Sequence, residues 1–248
     1  MICEASRPTT SARDLARIVE TDVALCARVL QMVNSSYFGL GRRIASVHQA
    51  VSYLGTAMMR ALAMAAQLYA MLDGTPLALA AVMETQRHGL MTARLAAMLC
   101  ERRSDVDLVL SAGLLHDVGK LALLYTARRD SIHTSTPSHS AADDVGNVSH
   151  AVLGGYLTRL WGLPDEICEV VAFHHTPRRA GRTEPSALTL VHIADALVAR
   201  ELDGKKFELD MPYLNKVGVT SRLPAWEEVA RSFFEVNARE LRPLRSSA

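Results

Sequence analysis

Apolar residues recur at three- and four-residue spacing along almost the whole chain, and no run of alternating β-branched residues bounded by hairpin turns interrupts them. A chain patterned this way buries one stripe per helix and has no strand faces to pair, so the expected fold class is all-α. Capping signals fix several helix starts. Ser11 with Asp14 forms a capping-box pattern ahead of Leu15, Ile18 and Val19. Asp22 can cap a second helix with Leu25, Val29, Leu30 and Val33 inward. Asn34 to Arg42, NSSYFGLGR, reads as a turn. Ser46 with Gln49 opens a short helix that Gly55 stops, and Thr56 can cap the alanine-rich helix beyond it.

Asp73-Gly74-Thr75-Pro76 is the clearest early break. It divides an N-terminal helical part, residues 11–72, from a second helical subdomain, residues 77–200, and residues 205–248 form a C-terminal helical extension. In the second part a long helix is expected from Leu77 to Cys100, and another from Val106 to Leu115 ending at His116-Asp117. Arg128 to Asn147 is polar, without an apolar period, and is expected as a loop. Ser149 restarts a helix that Trp161-Gly162-Leu163-Pro164 punctuates, the next ends near His174-His175, and a further one runs from Ser186 to Arg200. Trp226, Phe233 and Phe234 suit a closing helix.

Composition narrows the function classes. With 27 Lys and Arg against 26 Asp and Glu among 248 residues, the formal charge is +1. No global field favours nucleic acid or an anionic membrane, and no basic stripe with interleaved aromatics is present, so neither partner is expected. The chain's opening, MICEASRPTTSARDL, has no signal pattern, and the apolar stretch Ala57 to Leu72 is interrupted by Arg60 and Gln67. A cytoplasmic protein is expected. Cys3, Cys26, Cys100 and Cys168 form no CxxC pair and read as small apolar residues in a reducing compartment.

Several residues of the second part are chemically unusual. His116 and Asp117 sit side by side at the end of an apolar helix, where neutral imidazole plus carboxylate suits Mg²⁺, Mn²⁺, Fe or Zn²⁺, although either residue also serves as a helix cap. Asp195 falls on the stripe Leu188, Val191, Asp195, Val198, which turns a carboxylate inward. Buried unpaired, it costs several kcal/mol, on the order of a domain's stability margin. It needs a cation or strong donors, with His192 one turn earlier or an arginine as the alternative to a metal. His88 shares a stripe with Ala81, Leu95 and Leu99, His150 opens one helix, and His174-His175 close the next. Singly, each is as well read as a core or helix-end histidine. His48, His133, His139 and His192 read as surface or locally bonded residues.

The order His, His-Asp, His, His-His, Asp resembles the HD superfamily of metal-dependent phosphohydrolases over about His88 to Ala199. The resemblance implies that His88, His116, Asp117 and Asp195 match the four primary metal ligands, and that His150, His174 and His175 match the extra ligands of two-metal members. It makes Asp117 and Lys120 the catalytic candidates, with Lys120 contacting a phosphate oxygen, and the implied chemistry is phosphate-ester hydrolysis. The segment DVALCARVLQMVNSSYFGLGRRIASVHQAVSYLGTAMMRAL, continued by LTRLWGLPDEICEVVAFHHTP, is similar to the HDOD branch, whose members act as bacterial signalling or output modules. That similarity implies a regulatory module that binds signalling proteins or a nucleotide or other phosphate ligand, with a homodimer as one assembly. The alternative is a working phosphohydrolase. Two departures stand out. The short Leu-Pro motif and helix that usually open the family do not precede Ser11. After His175 the chain reads Thr-Pro-Arg-Arg-Ala-Gly-Arg, not Gly-Tyr-Pro, so cyclic di-GMP hydrolysis is not implied. Arg178, Arg179 and Arg182 can collect a phosphate, but a solvated basic loop is the simpler reading.

Overall fold

The computed structural model describes residues 11–21, 23–34, 44–71, 76–131, 144–145, 148–203 and 208–237. Cys3, Asp22, His133, His139, residues 35–42 of the expected turn and residues 73–75 of the expected break lie outside them. The helices are α1 Ala12–Glu20, α2 Val23–Val33, α3 Val47–Met71, α4 Pro76–Leu99, α5 Val106–Leu115, α6 Val118–Ser131, α7 His150–Leu160, α8 Asp165–Phe173, α9 Ala187–Asp203, α10 Met211–Lys216 and α11 Leu223–Val236. The all-α expectation holds, with one small addition. Asp144–Val145 and Val148–Ser149 (β1 and β2) form a two-residue antiparallel pair. The polar stretch after Arg128 also differs from expectation, because α6 continues to Ser131. Alanine and arginine favour helix after the apolar period has ended, so propensity carries the helix past the point where patterning stops.

The caps act as the residues dictate. Ser11 Oγ accepts from the Asp14 backbone N–H at 3.2 Å. At the start of α3, Ser46 Oγ accepts from Gln49 N–H at 3.2 Å, and Gln49 Oε1 accepts from Ala45 N–H at 2.9 Å. Gly55, at φ 75°, breaks α3 where the sequence places the stop. Asn34 joins the end of α2 to Ile44, donating to the Leu30 and Ile44 carbonyls at 2.8 and 2.7 Å and accepting from Ile44 N–H at 2.7 Å.

α1 and α2 pack on α3, α3 on α5, α4 on α5 and α9, and α6, α7 and α8 follow one another around the same centre. Among the described residues, the buried apolar side chains form one cluster from Leu15 to Phe234, including Trp226 and Phe233 of α11. The stretch Arg103–Thr126 is long and apolar enough to cross a membrane, yet 67% of its apolar 18-residue window is buried inside this protein. It is the central α5–α6 segment, and His116 and Asp117 lie in its middle.

Close backbone approaches draw these helices together. A side chain at Gly113 would come within 2.7 Å of the Ala93 Cα, so α4 and α5 touch backbone to backbone. At Gly119 a Cβ would collide with the His150 carbonyl oxygen and lie 2.8 Å from the Gly154 nitrogen, both on α7. Neither obstacle is a flexible side chain, so the helices themselves must separate. Gly119→Ala is expected to cost about 3 kcal/mol, read as a lowered urea midpoint; a loss below about 0.5 kcal/mol, the scale of an ordinary surface change, contradicts the packing described.

Candidate metal centre

Five helix ends and faces converge on one buried volume. His88 comes from α4, His116 and Asp117 from the α5–α6 junction, His150 from the first turn of α7, His174 and His175 from the end of α8, and Asp195 from α9. The structure thus brings together all seven residues singled out as candidate ligands. They form two adjoining groups, Asp117 with His150, His174 and His175, and His88 with His116 and Asp195, whose donor atoms within each group lie inside 4.8 Å of one another. His116 and His174 are fully buried, and Asp117 and Asp195 are nearly so.

The imidazole orientations follow from their backbone partners. His116 Nδ1 lies 2.7 Å from the Gly113 carbonyl, and His174 Nδ1 lies 2.9 Å from the Val171 carbonyl. A carbonyl only accepts, so each Nδ1 carries a hydrogen, and each Nε2 is aimed into the cluster. There, both Nε2 atoms, together with Asp117 Oδ1 and Asp195 Oδ2, are buried without a hydrogen bond. Carboxylate oxygens stand nearby at lengths too long for good hydrogen bonds. His116 Nε2 is 3.4 Å from Asp117 Oδ2 and 3.5 Å from Asp195 Oδ1, and His174 Nε2 is 3.6 Å from Asp117 Oδ1. Two donors held about 2.1 Å from one divalent ion lie roughly 3.0–3.4 Å apart, so these spacings suit shared ligation.

The remaining contacts close the cluster. His88 Nε2 is 2.8 Å from Asp195 Oδ1 and 3.8 Å from Asp117 Oδ2. His150 Nε2 is 3.3 Å from Asp117 Oδ1 and 3.1 Å from His175 Nε2. Lys120 Nζ donates to Asp117 Oδ2 at 2.7 Å, which places the ammonium group at the rim, with its side chain 20% exposed. Asp117 therefore faces both groups, one oxygen toward each.

Charge in the cluster is balanced by protons. Burial opposes charging His116, but the neighbouring Asp117 and Asp195 carboxylates outweigh it and push the imidazole up to about 10. Burial likewise opposes charge on Asp117 and is outweighed by His116 and Lys120, while His116 and His88 do the same for Asp195, so both carboxyls sit well below the usual range. Burial drives His174 down, and burial followed by the neighbouring His174 drives His175 to about 2. In the metal-free protein a proton on His116 thus stands between two carboxylates. Once His116 releases that proton, its imidazole joins neutral imidazoles, ionised carboxylates and Nδ1–H groups anchored on carbonyls in a donor set that fits a divalent cation.

Other candidates fall differently. Asp195 takes its hydrogen bond from His88, 107 positions away, and not from His192. His192 itself is fully buried rather than on the surface. It is bonded to the His174 carbonyl at 2.7 Å and to the Asp210 N–H at 3.0 Å. Its place one turn from Asp195 on an apolar helix was the available signal. His48 is exposed and lies 3.2 Å from Glu20. Arg178 and Arg182 are engaged by Asp210 and Glu169, at 2.7 and 2.6 Å, which answers their charge without a phosphate. Cys168 is buried, and Cys26 and Cys100 are partly so, all as free thiols.

The sequence model of the HDOD domain matches residues 2–177. A protein of Treponema pallidum, described only as uncharacterized, is 25% identical over 213 residues, covering 80% of this chain and 40% of that protein. Ribonuclease Y of Thermus thermophilus is 32% identical over 148 residues, 59% of this chain and 21% of that one. The chain therefore spans less than half the length of these relatives. Among solved structures, an HDOD domain protein of unknown function from Geobacter sulfurreducens superimposes with a TM-score of 0.62 at 21% identity, covering 97% of this chain and 87% of that one. It shares the fold. With the family model matching well over half of its length, the chain belongs to the HDOD domain family.

Proposed function

We propose that this chain is a signalling module of the HDOD kind that holds divalent metal in its seven-residue cluster and, through it, takes a nucleotide or other phosphate ester. The observation that carries this reading is the pair of buried imidazoles, His116 and His174, each anchored through Nδ1 on a carbonyl with Nε2 aimed unpartnered at carboxylates. Core histidines with no ligand role have no reason to leave four polar atoms orphaned in one volume. Asp117, His150, His174 and His175 would hold one ion, and His88, His116 and Asp195, joined by the second oxygen of Asp117, another. Such ions supply Lewis acidity and positive charge toward a phosphoryl oxygen.

The chain's own residues define where a phosphate enters. Most ligands are buried, and the exposed edge lies at His175, 31% exposed in its side chain, and at Lys120. Lys120 is held by Asp117 with its ammonium at that edge, so it can turn one donor toward an incoming phosphate while keeping the carboxylate bond. Lys120→Ala is expected to weaken binding of AMP to the Mn²⁺-loaded protein about tenfold, the worth of one charged hydrogen bond, without loss of metal. Unchanged AMP affinity by calorimetry contradicts this entry side.

A second reading, hydrolysis of the bound ester, is favoured by completeness of the ligand set: a module that only binds proteins has no chemical need of seven converged donors. The Ribonuclease Y similarity runs in the same direction. The assay is release of p-nitrophenol from its mono- and bis-phosphate esters by Mn²⁺- or Fe²⁺-loaded protein. Turnover lost with His116→Ala supports hydrolysis, and AMP binding without turnover leaves the signalling reading alone.

A further inference from the structure

We propose that His192 is a positioning residue that fixes the peptide between His174 and His175, and with it two donors of their metal group, through its Nδ1 bond to the His174 carbonyl. The inference rests on the metal reading above and concerns how that site is held in place. His192 is not among the donor atoms of either ligand group. Fully buried on α9, it uses both ring nitrogens in opposite senses. The His174 carbonyl can only accept, so Nδ1 donates to it at 2.7 Å; the Asp210 N–H can only donate, so Nε2 accepts it at 3.0 Å. One neutral tautomer satisfies both partners.

These two bonds close a ring of contacts around the ligand-bearing turn. Asp210 caps α10, accepting from Tyr213 N–H at 3.1 Å through Oδ1, and its Oδ2 accepts from Arg178 Nε at 2.7 Å. Arg178 lies in the short 3₁₀ turn Pro177–Ala180 just after His175, so the segment 174–178 is tied to Asp210 at both ends, at one end through His192. Tyr213 adds a hydroxyl bond of 2.7 Å to Thr189 on α9, one turn from His192, which fastens α10 to the same helix. The His174 carbonyl belongs to the peptide linking His174 and His175. Any rotation of that peptide moves two of the four donors in their group.

Two amide side chains separate the two bonds. In His192→Asn the amide nitrogen falls near the position of Nδ1 and keeps the bond to the His174 carbonyl. In His192→Gln the amide oxygen falls near Nε2 and keeps only the Asp210 bond. Mn²⁺ titration of the full chain by calorimetry is expected to show near-parental binding for His192→Asn and at least about tenfold weaker binding at one group for His192→Gln, the scale of losing a partner that orients a ligand. The His88, His116 and Asp195 group in the same molecule serves as the internal control for folding. Equal behaviour of the two variants overturns the inference, because a residue that merely fills space distinguishes neither bond. Should the glutamine variant not fold, Arg178→Ala tests the same ring from the exposed side. About threefold weaker binding at the same group is expected, and unchanged binding overturns the inference. Absence of metal from the parent protein overturns both this inference and the reading beneath it, while metal in the parent with equal variants overturns this one alone.

Discussion

Asp117→Ala is expected to empty both metal groups at once, lowering Mn²⁺ affinity by at least about a hundredfold at each, more than loss of a partner that only orients a ligand. His150→Ala is expected to affect only one. The difference follows from the two oxygens of Asp117, one facing His150 and His174, the other facing His116, His88 and Lys120. In the metal-free protein the same change removes the carboxylate partner of Lys120 and most of the field that keeps His116 charged. Breaking a buried pair from one side costs about 3–5 kcal/mol. Here the cost falls toward the lower figure, because Lys120 reaches solvent and His116 can release its proton. Metal stoichiometry of the two variants checks the first part and urea unfolding the second. Loss of one ion only in Asp117→Ala contradicts the bridging position.

Stability of the metal-free protein is expected to peak near neutral pH and fall on both sides, and metal is expected to flatten the alkaline side. His116 has a folded-state value raised from 6.5 to about 10, so its contribution is complete below 6.5 and is lost as pH rises through 10. Within that window one proton sets a limiting slope of about 1.4 kcal/mol per pH unit. His174, His175 and His192 are shifted the other way, chiefly by burial. They are neutral in the fold and take up protons on unfolding, so their contribution is present above 6.5 and is lost as pH falls below it. The depressed carboxyls, Asp117 and Asp195, lose theirs only at still lower pH, below the ordinary carboxylate value. Metal held by His116 would take the place of its proton and would remove the fall between 6.5 and 10. Thermal unfolding across pH with and without Mn²⁺ reads this directly, and a metal-free profile that rises from pH 7 to 10 contradicts it.

How much of this was visible in the chain depends on whether the signal was local. Ser11 with Asp14, Ser46 with Gln49, and Gly55 act within a turn of their own position, and each does what its residue type dictates. The helix ending at Leu115 ahead of His116-Asp117 was readable for the same reason. The ligand set was readable as an ordered pattern of residues, but the pairings inside it were not. Asp195 is satisfied by His88 and not by His192, its neighbour one turn earlier, because only the packing of α4 on α9 places His88 there. The partners of His192 are not legible for a related reason: they are backbone groups at His174 and Asp210, which leave no trace in residue type. The extension of α6 to Ser131 shows a further limit, since apolar period marks burial and propensity alone continued the helix.

The most direct test of the central claim is elemental analysis of protein purified without added metal or chelator, repeated after reconstitution with Mn²⁺, Fe²⁺ or Zn²⁺ and on Asp195→Ala. Near-stoichiometric metal in the parent, sharply reduced in the variant, is the expected result. No metal in the parent even after reconstitution would contradict the account and leave the seven residues as a proton-linked structural cluster.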